Sequence, residues 1–197
     1  MRPYDERCNH LLTHAALVFA DQGYHATTMR DVARASGMSL AGIYYYVRGK
    51  EALLALIQER CFAGVLDGAR EAVATSDDPA ERVQAFVRHH VGYFAAHIPE
   101  MKVLSHEAGS LGGEARRRVE AIKRRYVDLL EGLLRDAAPD ESPVDRNAAA
   151  YLLFGMMNWM YTWYDPAREI DPRRLADLIA RIFLGGFAEA RSTVHGG

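Results

Sequence analysis

Apolar side chains recur at spacings of three and four residues along almost the whole 197-residue chain. This is the period of an amphipathic α-helix, and the alternating pattern of strands joined by tight hairpin turns is missing. Hydrophobic residues make up 49% of the chain, which is enough to bury a core. The sequence therefore predicts an all-α protein of about nine helices.

Polar residues mark the beginnings of the predicted helices. Thr28 and Ser39 are good N-caps, and three further starts combine an oxygen cap with a proline at the first helical position, namely Asp78-Pro79, Ser142-Pro143 and Asp171-Pro172. The predicted helices lie near 5–21, 28–35, 39–45, 49–75, 78–97, 101–109, 114–136, 143–164 and 172–190.

Charge and cysteine content exclude several classes of protein. The formal charge is only −2, so any nucleic-acid site has to be a local patch. Cys8 and Cys61 are too few for a disulfide framework, and no signal core or long uncharged apolar run is present. We expect a cytoplasmic protein with no membrane segment. Helically spaced histidines lack carboxylate or thiolate partners, so no metal site is expected, and no catalytic motif indicates an enzyme.

Two short predicted helices, joined by a turn containing Gly37, form a candidate helix-turn-helix unit. The second is short and begins with small residues, which allow a helix to enter the major groove, and its tyrosines and the following lysine suit phosphates. The candidate DNA-binding residues are Thr27, Thr28, Ser39, Leu40, Ala41, Gly42, Tyr44, Tyr45 and Lys50. Alternatively, the threonines are only caps, the tyrosines only pack and the lysine is only solvated.

The stretch from Ala16 to Ala33, followed by Ser36-Gly37-Met38-Ser39 and by Ile43 to Leu53, closely resembles the DNA-binding domain of TetR-family repressors. The resemblance covers roughly residues 8–57 and departs mildly at Val47, where the family usually has an aromatic residue. It implies a homodimer that binds double-stranded operator DNA. It also implies a three-helix DNA-binding domain, placed at residues 1–50, and a helical ligand-binding and dimerisation domain at 51–197.

The segment 151–164 contains both tryptophans, three tyrosines and three methionines. Together with Leu104-Ser105-His106-Glu107 and Arg124-Arg125-Tyr126, it resembles the TetR subgroup that senses acyl-coenzyme A thioesters. That resemblance implies a small-molecule effector and no cofactor. The candidate ligand-binding residues are His106, Arg124, Arg125, Asn158, Trp159 and Trp163, with the arginines near the phosphates of coenzyme A. Alternatively, the aromatic stripe is core or dimer interface and the arginines form a solvated face.

The last predicted helix carries a wide apolar stripe that suits a four-helix seam between two subunits. The candidate dimer residues are Trp159, Leu175, Ile179, Ile182, Phe183 and Gly186. The stripe could instead close the core of one chain.

From the residues and the two resemblances together, we expect a dimeric repressor that an acyl-coenzyme A releases from a palindromic operator. Two alternatives remain at this point. The first is the same kind of repressor, controlling an efflux or catabolic gene and sensing a lipophilic compound without coenzyme A. The second is a helical ligand carrier or enzyme with a vestigial helix-turn-helix.

Overall fold

A computed structural model describes the backbone of residues 3–107, 109–140, 142–165 and 170–194, and the side-chain burial of those between 6 and 186. The described residues form α-helices and no strand, which confirms the all-α prediction. The helices are α1 (Pro3–Gln22), α2 (Met29–Ser36), α3 (Leu40–Tyr46), α4 (Lys50–Val73), α5 (Pro79–Ala96), α6 (Ile98–His106), α7 (Gly113–Ala137), α8 (Pro143–Asn158) and α9 (Pro172–Val194). A 3-10 helix, Trp159–Thr162, continues α8.

The caps predicted from the sequence are present. Side-chain oxygens accept hydrogen bonds from the first turn of the helices that begin after Thr28, Ser39, Asp78, Ser142 and Asp171. Several boundaries differ from the prediction by a few residues, and two of these differences concern the local structure. The sixth helix begins at Ile98 and not near 101, because Pro99 fits the first turn of a helix, where no N–H is needed. The α-helical part of α8 ends at Asn158 and the next turn is 3-10.

The chain divides into two compact units. Unit 1 comprises residues 1–63 and 97–122. Within it α1 packs against α2 and α6, around a core to which α3 and the first half of α4 also contribute. Unit 1 therefore extends beyond residues 1–50, because α6 and the start of α7 supply Val103 and Val119 to the same core.

Unit 2 comprises residues 64–96 and 123–197. Its α5 packs against α9, and α8 packs against both of them. The large side chains buried completely in this unit are Leu66, Phe86, Leu130, Leu133, Leu134, Leu153 and Met157. Among the described residues, no helix combines the length and the apolar character that crossing a membrane requires.

Candidate functional site

Helix α3 is fixed to unit 1 by one side and exposes the other. Ile43 is completely buried and Val47, which follows the helix, is nearly so. The side chain of Ser39 accepts a hydrogen bond from the N–H of Gly42 at 3.0 Å, which holds the first turn. Of the six candidate residues on this helix and its cap, Ser39, Ala41, Tyr44 and Tyr45 are exposed and Leu40 and Gly42 are half-buried. The structure therefore brings all six to a surface that a macromolecule can reach.

The two threonines before α2 differ in their surroundings. Thr28 is exposed and forms a capping box with Asp31, whose carboxylate accepts hydrogen bonds from the Thr28 N–H at 3.0 Å and hydroxyl at 2.6 Å. These bonds hold the pKa of Asp31 below its usual value. Thr27 is only 1% exposed, and its hydroxyl donates to the carbonyl of Gly23 at 2.8 Å. The prediction that Thr27 offers its hydroxyl to DNA is corrected, because that group is buried and already bonded.

Lys50 connects the start of α4 to the turn before α2. Its ammonium donates to the carbonyls of Tyr24 at 2.8 Å, His25 at 3.1 Å and Thr27 at 2.9 Å, and lies 4.6 Å from the centre of the Tyr24 ring. An ammonium has three N–H donors, so these three carbonyls occupy all of them. A phosphate would therefore have to displace a carbonyl of the protein. The structure gives Lys50 a role that the sequence did not indicate, that of positioning the turn.

The six candidate ligand residues lie in both units. His106 is the exposed last residue of α6 in unit 1. Unit 2 holds the other five: the exposed Arg124 and Arg125 on α7, Asn158 at the end of α8, and Trp159 and Trp163 just after it. Trp159 is 64% exposed and Trp163 is 49% exposed, so both tryptophans are surface residues in the single chain.

Sequence reasoning missed a polar group inside unit 2. His90 of α5 is buried among aromatic rings and hydrogen-bonds to the Tyr126 hydroxyl of α7 at 2.9 Å and to Asn158 Oδ1 at 3.1 Å. Burial lowers the pKa of His90 to about 3, so its imidazole is neutral. The signal available was a histidine on the apolar face of α5, between Phe86 and Phe94 at helical spacing.

Helix α9 presents only part of its predicted dimer stripe. Leu175, Ile179 and Phe183 are buried within the chain, on the side of α9 that packs into unit 2. They belong to the core of a single chain and not to a surface that a partner covers, which corrects the predicted interface. Ile182 is 56% exposed, and Gly186 is also exposed.

Exposed apolar residues of α8 and of the 3-10 turn after it complete this surface. Leu152, Met156, Trp159 and Trp163 follow one another at spacings of four, three and four, and all are exposed. With Leu178 and Ile182 they form what we call the α8–α9 face. The spacing of Leu152 and Met156 was visible in the sequence, but only their exposure distinguishes them from the buried Leu153 and Met157 beside them.

Family models match both parts of the chain. Residues 11–57 match the bacterial regulatory proteins of the tetR family, and residues 76–187 match the tetracyclin repressor-like C-terminal domain. The second match alone spans more than half of the chain.

Individual relatives agree with these matches. The activator FasR of Mycolicibacterium smegmatis is 35% identical over 85 residues, which is 43% of this chain but only 39% of FasR. The repressor KstR2 of the same organism is 23% identical over 198 residues, covering 96% of this chain and 94% of KstR2. The crystal structure of AibR in complex with isovaleryl coenzyme A and operator DNA superposes with a TM-score of 0.79 at 30% identity, covering 89% and 97% of the two chains. The chain therefore belongs to the TetR family of bacterial regulatory proteins.

Proposed function

We propose that this protein is a dimeric transcriptional repressor that binds a palindromic operator through α2 and α3 and leaves it when an acyl-coenzyme A binds to unit 2. The exposed side of α3 supports the DNA-binding part of this proposal. The buried Ile43 anchors α3 while Ala41, Tyr44 and Tyr45 face outward. Small residues allow the helix to approach base edges, and tyrosine hydroxyls donate to phosphates.

The effector part is supported by similarity and by charge. AibR, 30% identical, binds isovaleryl coenzyme A and operator DNA in its crystal structure. In this chain Arg124 and Arg125 expose two guanidinium groups on α7 in unit 2, and such groups bind phosphates through paired donors. Asn158 in the same unit supplies a side-chain amide for an acyl group.

The α8–α9 face supports a homodimer. Large apolar residues such as Trp159 and Ile182 are exposed on two consecutive elements of unit 2. Large exposed apolar side chains that occur in groups are typical of protein interfaces. Two copies would bury it by packing two helices from each subunit into a four-helix seam.

The DNA-binding part is tested by selecting bound duplexes from a randomised pool. We expect a palindromic sequence. With that operator, Tyr44→Phe should weaken binding about three- to tenfold for selected and random duplexes alike, because it removes one hydrogen bond to the phosphate backbone. Ala41→Ser should instead change which bases are selected.

Tyr151→Phe is the matched control for the first variant, since it removes a hydroxyl from an exposed tyrosine of α8. It should bind the operator as the wild type does. Wild-type affinity of Tyr44→Phe, or selection of no preferred sequence, would contradict the proposed DNA contact.

The effector part is tested by thermal shift with isovaleryl coenzyme A, free coenzyme A and isovalerate. A ligand that binds only the folded state raises its stability, so the acyl-coenzyme A should raise the melting temperature most. Arg125→Ala should reduce that shift and leave any effect of isovalerate unchanged, because isovalerate carries no phosphate. Arg173→Ala removes an exposed arginine from α9 and serves as the control. Equal shifts by isovaleryl coenzyme A and by isovalerate, in the wild type and in Arg125→Ala alike, would favour a lipophilic effector without coenzyme A.

A further inference from the structure

Three side chains from three helices of unit 2 form a continuous chain of hydrogen bonds. It runs from the hydroxyl of Tyr126 on α7, through the imidazole of His90 on α5, to the amide of Asn158 on α8. The first two residues are buried, whereas Asn158 is exposed. The chain therefore begins in the core and ends at a group that a ligand can reach.

Aromatic rings enclose the middle of this chain. The centre of the His90 ring lies 4.7 Å from that of Phe94, 5.9 Å from that of Phe154 and 6.4 Å from that of Phe86. These rings offer no strong acceptor for an N–H of His90. The tyrosine and the asparagine are thus the partners that satisfy its two nitrogens, as a buried polar side chain requires.

The positions of the protons follow from the acceptor at the end of the chain. Oδ1 of Asn158 can only accept, so Nε2 of His90 carries the proton and donates it. Because the buried imidazole is neutral, its Nδ1 is then an acceptor, and the Tyr126 hydroxyl donates to it. Turning the Asn158 amide over would require the other tautomer of His90, in which the Asn158 NH₂ donates to Nε2 and Nδ1–H donates to the Tyr126 hydroxyl. The tautomer of His90 therefore reports the orientation of the Asn158 amide.

In the structure the Asn158 amide turns its oxygen toward His90. Its oxygen is used by His90, and its Nδ2 carries two N–H donors that the bond to His90 does not use. Donors fixed in advance bind an acceptor at a lower entropy cost than freely rotating ones.

Resting on the proposed function, we propose that His90 and Tyr126 are positioning residues that hold the Asn158 amide so that its N–H donors bind the acyl carbonyl oxygen of the effector. The group recognised is a neutral carbonyl next to an apolar chain. Recognition of coenzyme A phosphates is a separate matter, assigned to other residues.

The test compares two ligands that differ in this carbonyl. Isovaleryl coenzyme A is titrated beside S-(3-methylbutyl)-coenzyme A, the thioether in which CH₂ replaces C=O. Because the thioester accepts one more hydrogen bond, the wild-type protein should bind it roughly three- to tenfold more tightly than the thioether. His90→Phe should abolish most of this preference, and Asn158→Ala should abolish it to the same extent.

His90→Gln is the conservative variant, since a glutamine amide can donate to Asn158 and accept from Tyr126. It should retain most of the preference. Phe94→Leu alters a ring in contact with His90 but no hydrogen bond, so it should lower stability and leave the preference unchanged. If the role of His90 were merely structural, His90→Phe, His90→Gln and Phe94→Leu would all change the preference for the thioester in the same way.

Four results would overturn the inference. They are a wild-type protein that binds both ligands equally, a wild-type protein that binds neither, a His90→Phe variant that keeps the preference, and nitrogen NMR of the wild-type protein showing the Nδ1–H tautomer of His90. Equal and tight binding of both ligands would leave the proposed coenzyme A effector standing. Failure of both ligands to bind would remove that effector as well, while DNA binding is tested separately.

Discussion

At the scale of the residue, Lys50 holds the turn before α2 through three backbone carbonyls. Lys50→Met removes three charge-assisted hydrogen bonds to the turn before α2. We expect the free energy of unfolding to fall by about 1–3 kcal/mol. Affinity for all duplexes should fall similarly because the turn leading into α2 loosens. If no phosphate contact is lost, the slope of log affinity against log salt concentration should not change. Fluorescence anisotropy at several salt concentrations measures the affinity and its slope, and urea denaturation measures the free energy of unfolding.

Lys102→Met is the control for this prediction. It removes the same charge from a half-buried position on α6 in unit 1. It should leave affinity and slope near the wild-type values. A slope reduced by about one in Lys50→Met would show instead that the ammonium lies against a phosphate.

At the scale of the element, α9 has two sides with different tasks. Its buried side closes the core of unit 2, and its exposed side carries Ile182. Ile182→Glu should leave the single chain folded, because the side chain is exposed there, but should place an unpaired carboxylate in a dimer seam. Sedimentation should then show monomers. Phe183→Glu should unfold the chain, since that side chain is buried.

Arg173→Glu is the control on the same helix. It lies nine residues earlier than Ile182 and so on the opposite side of α9, and it is exposed. The dimer should persist in this variant. An intact dimer of Ile182→Glu would move the interface away from the α8–α9 face.

At the scale of the whole molecule, the proposed repression and release are linked by free energy. An effector can weaken DNA binding only by the difference between its affinities for the DNA-bound and free conformations. Operator DNA must therefore weaken the binding of the effector by the same factor. A two-fold dimer also predicts that the half-sites of the selected operator have centres about 34 Å apart, or a multiple of that distance.

Local chemistry allowed the sequence to predict the helices and the surface of α3. Caps such as Thr28 and Ser39 act within three residues of themselves, so a linear pattern reveals them. The same holds for α3, where Ile43 points inward and Ala41, Tyr44 and Tyr45 remain exposed.

Tertiary structure decided the roles that depend on residues far apart in the chain. Lys50 reaches carbonyls 23 to 26 positions earlier, and His90 meets Tyr126 36 positions and Asn158 68 positions later. Helical periodicity identifies the apolar side of α9 but not what covers it, because a core and a dimer seam require the same side chains. The sequence by itself therefore determined which helices form, and only the packing between them determined which polar groups meet and which apolar residues remain for a partner.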